Sequence, residues 1–533
     1  DANNTSVTFN STATVNSDDA STKRDLTINT GAGAVAMQGI IGGSVALDAI
    51  SINAATAGAG TVEVANIAGA AGAVSIGNGA TATLTLDGTT YTSTGAQTYE
   101  ANDINITAGA DVTFTTTNTA VEFQDGAAGQ IVLSDATDLT ITTSGGDITI
   151  APTIAGTDSG GGGNTAEDIT LNAAGGTVTL SNTGAAVLAT EIGDVTLTGA
   201  TIALSNSITS TGANSAGSTA TIDINGAVTL NDNDITITTG GAGIDFSSTI
   251  VSGSTTPRAL TIAQGAGAVV INGNIGGTAN NDVGNITIGA TGNNGNITLS
   301  GDIGTDSVAG AAIVALGNAS TGSITLGGAE YNTSGTQTYT ADDYNLNGTA
   351  ITLTTSADIV TFNDGGGDGS IDLADAAALT ISTSGANIVV NVPILGTAEG
   401  TSTDVTLNAA AGNVTVEDMG TDVNDVALTG GTISINGTIE TADLSGSDPG
   451  GITLDGAVTL AGAVTLDTDS GNGPISVTGA VNASSSGVET LTISSGSGTV
   501  DFGGVIGGTT ALGDTTINAS GTGTIAIEAI GDA

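Results

Sequence analysis

The chain has 533 residues and a formal net charge of −49, with 52 acidic and three basic residues, 84 glycines, and no His, Cys or Trp. Those counts exclude a histidine-based triad, a thiol nucleophile, a zinc finger, a haem ligand and an iron–sulfur cluster. They also oppose a nucleic-acid partner and docking to an anionic membrane, which both need Lys and Arg, while carboxylate acid–base chemistry and hard-cation binding stay open. Apolar residues make up 39% of the chain and recur at short intervals, so a folded core is expected rather than disorder. No apolar run reaches the length of a membrane span, and membrane insertion is not expected. The opening DANN carries no Met and no basic or apolar leader, and reads as a mature product or an excerpt.

From the N-terminus onward, short runs of the form Asp, aliphatic, Thr, aliphatic recur: DLTI at 25, DVTF at 111, DLTI at 138, DITI at 147, DITL at 168, DVTL at 194, DITI at 234 and DVTL at 404. Bulky residues at i and i+2 with Thr between them have the period of a strand buried on one face. Gly, Asn, Ser or Asp follows each run and predicts a turn. No stretch carries the pattern of a capped amphipathic helix, and the chain is expected to be all-β. A sandwich would end near a hundred residues, whereas this pattern continues with only five Pro and no linker of distinct composition. A parallel stack of coils, a β-solenoid with one continuous aliphatic core, fits better.

A larger repeat overlies the coils. LTINTGAGAVAMQGIIGG at 26 returns as LTIAQGAGAVVINGNIGG at 260, 234 residues on, and as LTISSGSGTVDFGGVIGG at 491, another 231 on. YTSTGAQTYEAND at 91 returns as YNTSGTQTYTADD at 331. The chain therefore divides into a first unit at 1–234, a second at 235–465, and the start of a third at 466–533. At roughly 22 residues per coil and about 4.8 Å of rise, such a solenoid would make a rod of about 115 Å.

The motifs LTINTGAGAV, IGGSVALDAISIN and YTSTGAQTYEANDINI resemble the repeats of the large bacterial exoproteins of the filamentous haemagglutinin-like adhesin class, over essentially the whole chain. The resemblance implies a right-handed parallel β-helix, export to the cell surface or beyond, and a role in adhesion, aggregation, or matrix and sheath construction. It implies no catalytic residues.

Several residues are candidates for a site. Asp25, Asp103, Asp111, Asp138, Asp147, Asp168, Asp194, Asp234, Asp358, Asp404 and Asp425 open strands, and Asn285 and Asn296 stand in equivalent places. Asp and Asn share the ability to accept turn amides, so the bland reading is turn chemistry. The sharper one is calcium held between carboxylates stacked on adjacent coils, with Asp103, Asp111, Asp138, Asp147 and Asp343 as candidates. GGGDGSIDL at 365 has Ile371 where a calcium-binding nonapeptide would place Asp, and reads as a Gly-rich turn. Tyr91, Tyr99, Tyr331 and Tyr339, with Tyr344 beside them, either pack along a strand or form an exposed aromatic stripe for a sugar or protein. Lys23, Arg24 and Arg258 all precede an LTI landmark, where the third copy has Glu489. Arg24 and Arg258 are candidates for a lateral fibre contact with an acidic neighbour.

The expectation is a structural extracellular fibre protein without enzymatic activity, whose partner is itself through end-to-end or lateral contacts. The alternatives are the stalk of an adhesin bound to a host or neighbouring cell surface, and a calcium-dependent surface-layer or matrix protein.

Overall fold

The computed structural model describes all residues except 1–3, 56–57, 59, 127–128, 136, 158–165, 182–185, 189–190, 213–218, 278–281, 290–291, 293–294, 305–310, 375–376, 397–402, 421, 443–448 and 532–533. Among the described residues there is no helix, and the strands stack in parallel as a β-solenoid of about 19 turns. The chain forms two compact units, residues 1–267 and 268–533.

One coil of the first unit shows how the sequence builds the fold. Strands Val112–Thr116, Val121–Asp125 and Gln130–Leu133 make its three sides, and the next coil repeats them as Leu139–Thr143, Ile148–Ile150 and Thr153–Ala155. Register is strict: Val112 pairs with Leu139, Phe114 with Ile141, Val121 with Ile148, and Ile131 with Ile154. Each inward residue thus sits on an inward residue of the next coil. Val112, Phe114, Leu139 and Ile141 are all fully buried, while Thr113 and Thr140 between them face outward. The strand ladder crosses 234–235 and 465–466 without a break, since Ile208 pairs with Ile237 and Thr465 with Thr492. The second unit is built the same way, with Ile351, Leu379, Val405, Val426, Ile452, Ile475 and Val500 in one inward column.

Most coils are longer than the roughly 22 residues expected, and their lengths vary. Contacts between adjacent coils span from 20 residues, at Asp418 and Thr438, through 30, at Asp138 and Asp168, to the pairing of Ile154 with Leu188, 34 positions on. The three sides must keep register but the turns between them need not, so insertions collect at the corners. Two devices recur there. An inward Thr or Ser closes its turn by donating to a nearby carbonyl, as Thr30 does to Gly33 at 2.6 Å, Thr239 to Ala242 at 2.9 Å and Ser495 to Gly498 at 3.3 Å. The landmark Gly-x-Gly then serves two purposes. Its first glycine, Gly31, Gly265 or Gly496, lies at positive φ of 62, 60 or 54°. At its second, Gly33, Gly267 or Gly498, a Cβ would stand 2.5, 1.9 or 2.0 Å from a carbonyl oxygen of the preceding coil.

The close approach at Gly498 is testable. Gly498→Ala forces a methyl against the Gly473 carbonyl and should cost about 1–3 kcal/mol of stability. Thr499→Ala, at the exposed position beside it, should change stability by less than about 0.5 kcal/mol. Urea denaturation of both variants makes the comparison, and an equal effect would contradict this account of the repeat.

Candidate functional site

The tyrosines do not form an exposed stripe. Tyr91, Tyr99, Tyr331, Tyr339 and Tyr344 are all 0% exposed. The strand Gln97–Ala101 alternates so that Gln97, Tyr99 and Ala101 point inward and Thr98 and Glu100 outward, which commits the aromatic rings to the core. Tyr91 stacks on Phe114 at 4.7 Å between ring centroids, and Tyr99 on Phe123 at 5.1 Å. In the second unit Tyr339 stacks on Phe362 at 4.7 Å, with Tyr344 edge-on to the same ring at 5.2 Å.

A buried glutamine that the sequence reading passed over holds this plug together. Gln97 Nε2 donates to the Tyr91 carbonyl at 3.0 Å, Ser93 Oγ at 3.1 Å and the Thr115 carbonyl at 3.0 Å, while its Oε1 accepts the Tyr99 hydroxyl at 3.0 Å. Gln337 repeats the set with Tyr331, Thr333, Thr354 and Tyr339. Tyr91 donates to the Val64 carbonyl at 2.9 Å and accepts the Gly88 amide at 3.0 Å. Each hydroxyl brought into the core has a partner, as burial requires. The signal was the i, i+2 spacing of Gln97 and Tyr99, which puts both on the inward face.

Eight of the eleven strand-opening acids, all but Asp103, Asp111 and Asp358, bond across coils rather than within their own turns. Asp138 Oδ1 accepts the amide of Asp168 at 2.8 Å, Asp168 Oδ1 that of Asp194 at 2.7 Å, and Asp194 Oδ1 that of Thr221 at 2.7 Å. Asp25 takes Ala49, Asp147 takes Thr177, Asp234 takes Ala259, Asp404 takes Asp425, and Asp425 takes Gly451. Asparagines do the same: Asn296 accepts the Ser323 amide at 3.1 Å and Asn387 that of Asn413 at 2.9 Å. The carboxylate is thus a clamp, and an amide oxygen serves as well. Among the calcium candidates, Asp103, Asp111, Asp147 and Asp343 are exposed and Asp138 is half-buried. Among the described residues no group of three or more acidic side chains is arranged to hold a metal ion.

Stacking acids has an electrostatic cost. Burial, then the charges of Asp111 and Asp194, push the Asp138 carboxyl up from its ordinary value, against the lowering effect of the Asp168 amide. Asp223 is pushed up by burial and then by Asp245 and Asp194, with Asp245 directly opposite it in register. Beside the 365 turn, which is Gly-rich as expected, Asp364, Asp368, Asn391, Pro393 and Glu417 line a shallow cleft of about 210 Å³, and Asp364 accepts the Gly366 amide at 2.9 Å.

The two matched arginines are used differently. Arg24 Nε pairs with Asp18 at 2.9 Å on an exposed corner, an ion pair of little energetic weight. Arg258 Nε donates to the Asn231 carbonyl at 3.1 Å, one coil earlier.

The parallel ladder within each unit and the repeated corners define a solenoid-type repeat protein. Comparison with protein-family models, curated proteins and solved structures finds no match to this chain.

The clamp makes a signed prediction. A raised carboxyl pKa means that the folded state binds the proton more tightly, so the ionised group costs stability as pH climbs above the ordinary value of 3.8. Asp138→Asn keeps the acceptor and loses the charge, and should be at least as stable as wild type at pH 7, with the gap closing as pH falls below 4. Asp138→Ala leaves the Asp168 amide without its acceptor and should cost about 1–3 kcal/mol. Denaturation midpoints at pH 4 and 7 decide, and an Asn variant markedly weaker at pH 7 would contradict the clamp.

Proposed function

We propose that the chain is the rod of an extracellular structural fibre, at a cell surface or in a matrix or sheath, of the kind built by the filamentous haemagglutinin-like exoproteins its repeats resemble. The observation that carries this reading is the use of the acids: side chain after side chain is turned to the backbone of the next coil. Carboxylates spent on holding coil to coil serve cohesion along the rod. A repeat in which each coil contacts its neighbours gains stability by many small increments and can be extended without redesign.

Other features fit the same purpose. Thr90, Thr113, Thr140, Thr170 and Thr196 form one outward rank, and Thr92, Thr115, Thr142, Asn172 and Thr198 a second beside it. Over these five coils the two ranks carry no charge, which lowers the repulsion a second copy would meet from a chain of net charge −49. Only Lys23, Arg24 and Arg258 offer cleavage sites to trypsin-like proteases. The partner in this reading is another copy of the chain, and neither calcium nor a catalytic centre is required.

Electron micrographs of the purified protein, with and without a chelator, test it. Uniform filaments or bundled rods that persist in chelator are the expected result. Assemblies that come apart when divalent cations are removed would replace this reading with a calcium-dependent matrix protein, and dispersed single rods under both conditions would point to an adhesin stalk.

A further inference from the structure

One buried acid does not act as a clamp. Glu167 begins the strand Glu167–Asn172 and pairs in register with Ile192 of the next coil. Its side chain points inward and is 0% exposed, and neither carboxylate oxygen has a hydrogen-bond partner. The carboxyl lies over Gly156, where a Cβ would stand 2.0 Å from Oε2 and 2.7 Å from the carbonyl oxygen of Glu191. Glu191 holds a positive φ of 67°.

The second sequence repeat contains the same corner with a different side chain. Thr403 precedes DVTL as Glu167 precedes DITL, Asp422 precedes DVAL by the three positions that separate Glu191 from DVTL, and Gly396 stands for Gly156. Asp422 also has a positive φ, 69°. Thr403 is fully buried, and its hydroxyl donates to the Asp422 carbonyl. The corner is therefore built to receive a donor. A neutral carboxylic acid is a donor, whereas a carboxylate brings only lone pairs towards a carbonyl oxygen.

We propose that Glu167 is a pH-operated latch: as the neutral acid it donates to the Glu191 carbonyl and closes the corner as Thr403 does, and on losing its proton to solvent it releases the coil at Gly156, Glu167 and Glu191. The charged groups that face it are Asp135, in the turn after Gln130–Leu133, and Glu191, on the next coil; both are acidic and oppose ionisation. Burial opposes it most, and the carboxyl is pushed up to about 7. No basic residue stands there to compensate. The closed corner is favoured at low pH, weakens as pH rises from the ordinary Glu value of 4.5 towards 7, and levels off above that.

Hydrogen exchange on the full chain tests the latch. After correction for intrinsic rates, protection of peptides spanning Glu167–Asn172 and the start of the strand at Ile192 should fall about tenfold between pH 6 and pH 8.5. The matching peptides at Thr403 and Asp422 should show no such fall in the same experiment. Glu167→Thr, which copies the second repeat, and Glu167→Gln, which keeps the shape and supplies a permanent donor, should both abolish the pH dependence. Wild-type protection that is flat across this range overturns the proposal, as does a fall of the same size in Glu167→Gln.

Discussion

Parallel in-register stacking is the constraint on which the rest of this structure depends. A strand one coil on lies about 4.8 Å away, so whatever a residue does at one level it does against its own counterpart at the next. Inward positions are therefore apolar in long columns, as where Val112, Leu139, Ile169, Val195, Ile222 and Ile244 succeed one another, and an inward polar side chain such as Gln97 is the exception. Aromatic rings enter the same columns either stacked on one another or singly against aliphatic partners, as Phe246 does on Ile224. Tyr91 over Phe114 and Tyr99 over Phe123 are a local thickening of the core that the coils on either side accommodate.

Stacking works against charge, because an acid at a repeated position faces another acid. The chain answers this by turning the strand-opening carboxylates into acceptors for backbone amides of the following coil. Each bond offsets part of the repulsion and ties two coils together. Asn387 and Asn296 perform the same service without charge, so cohesion does not demand acidity. The acidity then acts on the outside of the molecule, where a large net charge of one sign favours solubility and limits nonspecific association.

The fold was legible because period-2 alternation survives any variation in the turns. D-x-T-x runs name their inward residues directly, and the 234- and 231-residue spacing of the LTI landmarks exposes the repeat. Composition leaves the tyrosines open between core and surface because a phenol suits either environment, although counting by twos from Ala101 through Tyr99 to Gln97 places all three inside. The same count places Glu167 inside, two residues before Ile169. What alternation cannot reveal is which carbonyl or amide a side chain meets one coil away, since that depends on turn lengths that vary from coil to coil. The reach of the Asp clamps, the Gln97 network and the receiving carbonyl at Glu191 all belong to that class.

The register itself can be measured with introduced disulfides, since the chain has no cysteine of its own. Thr140 and Thr170 are register partners on adjacent coils, and strands at about 4.8 Å fall within the Cα separation that a disulfide spans. Oxidation of the Thr140→Cys/Thr170→Cys double variant should close an intrachain bond in high yield. Thr113→Cys with Thr170→Cys, two coils apart at about 10 Å, should not close. A failure of the first pair, or equal closure of both, would contradict the stacked, in-register solenoid.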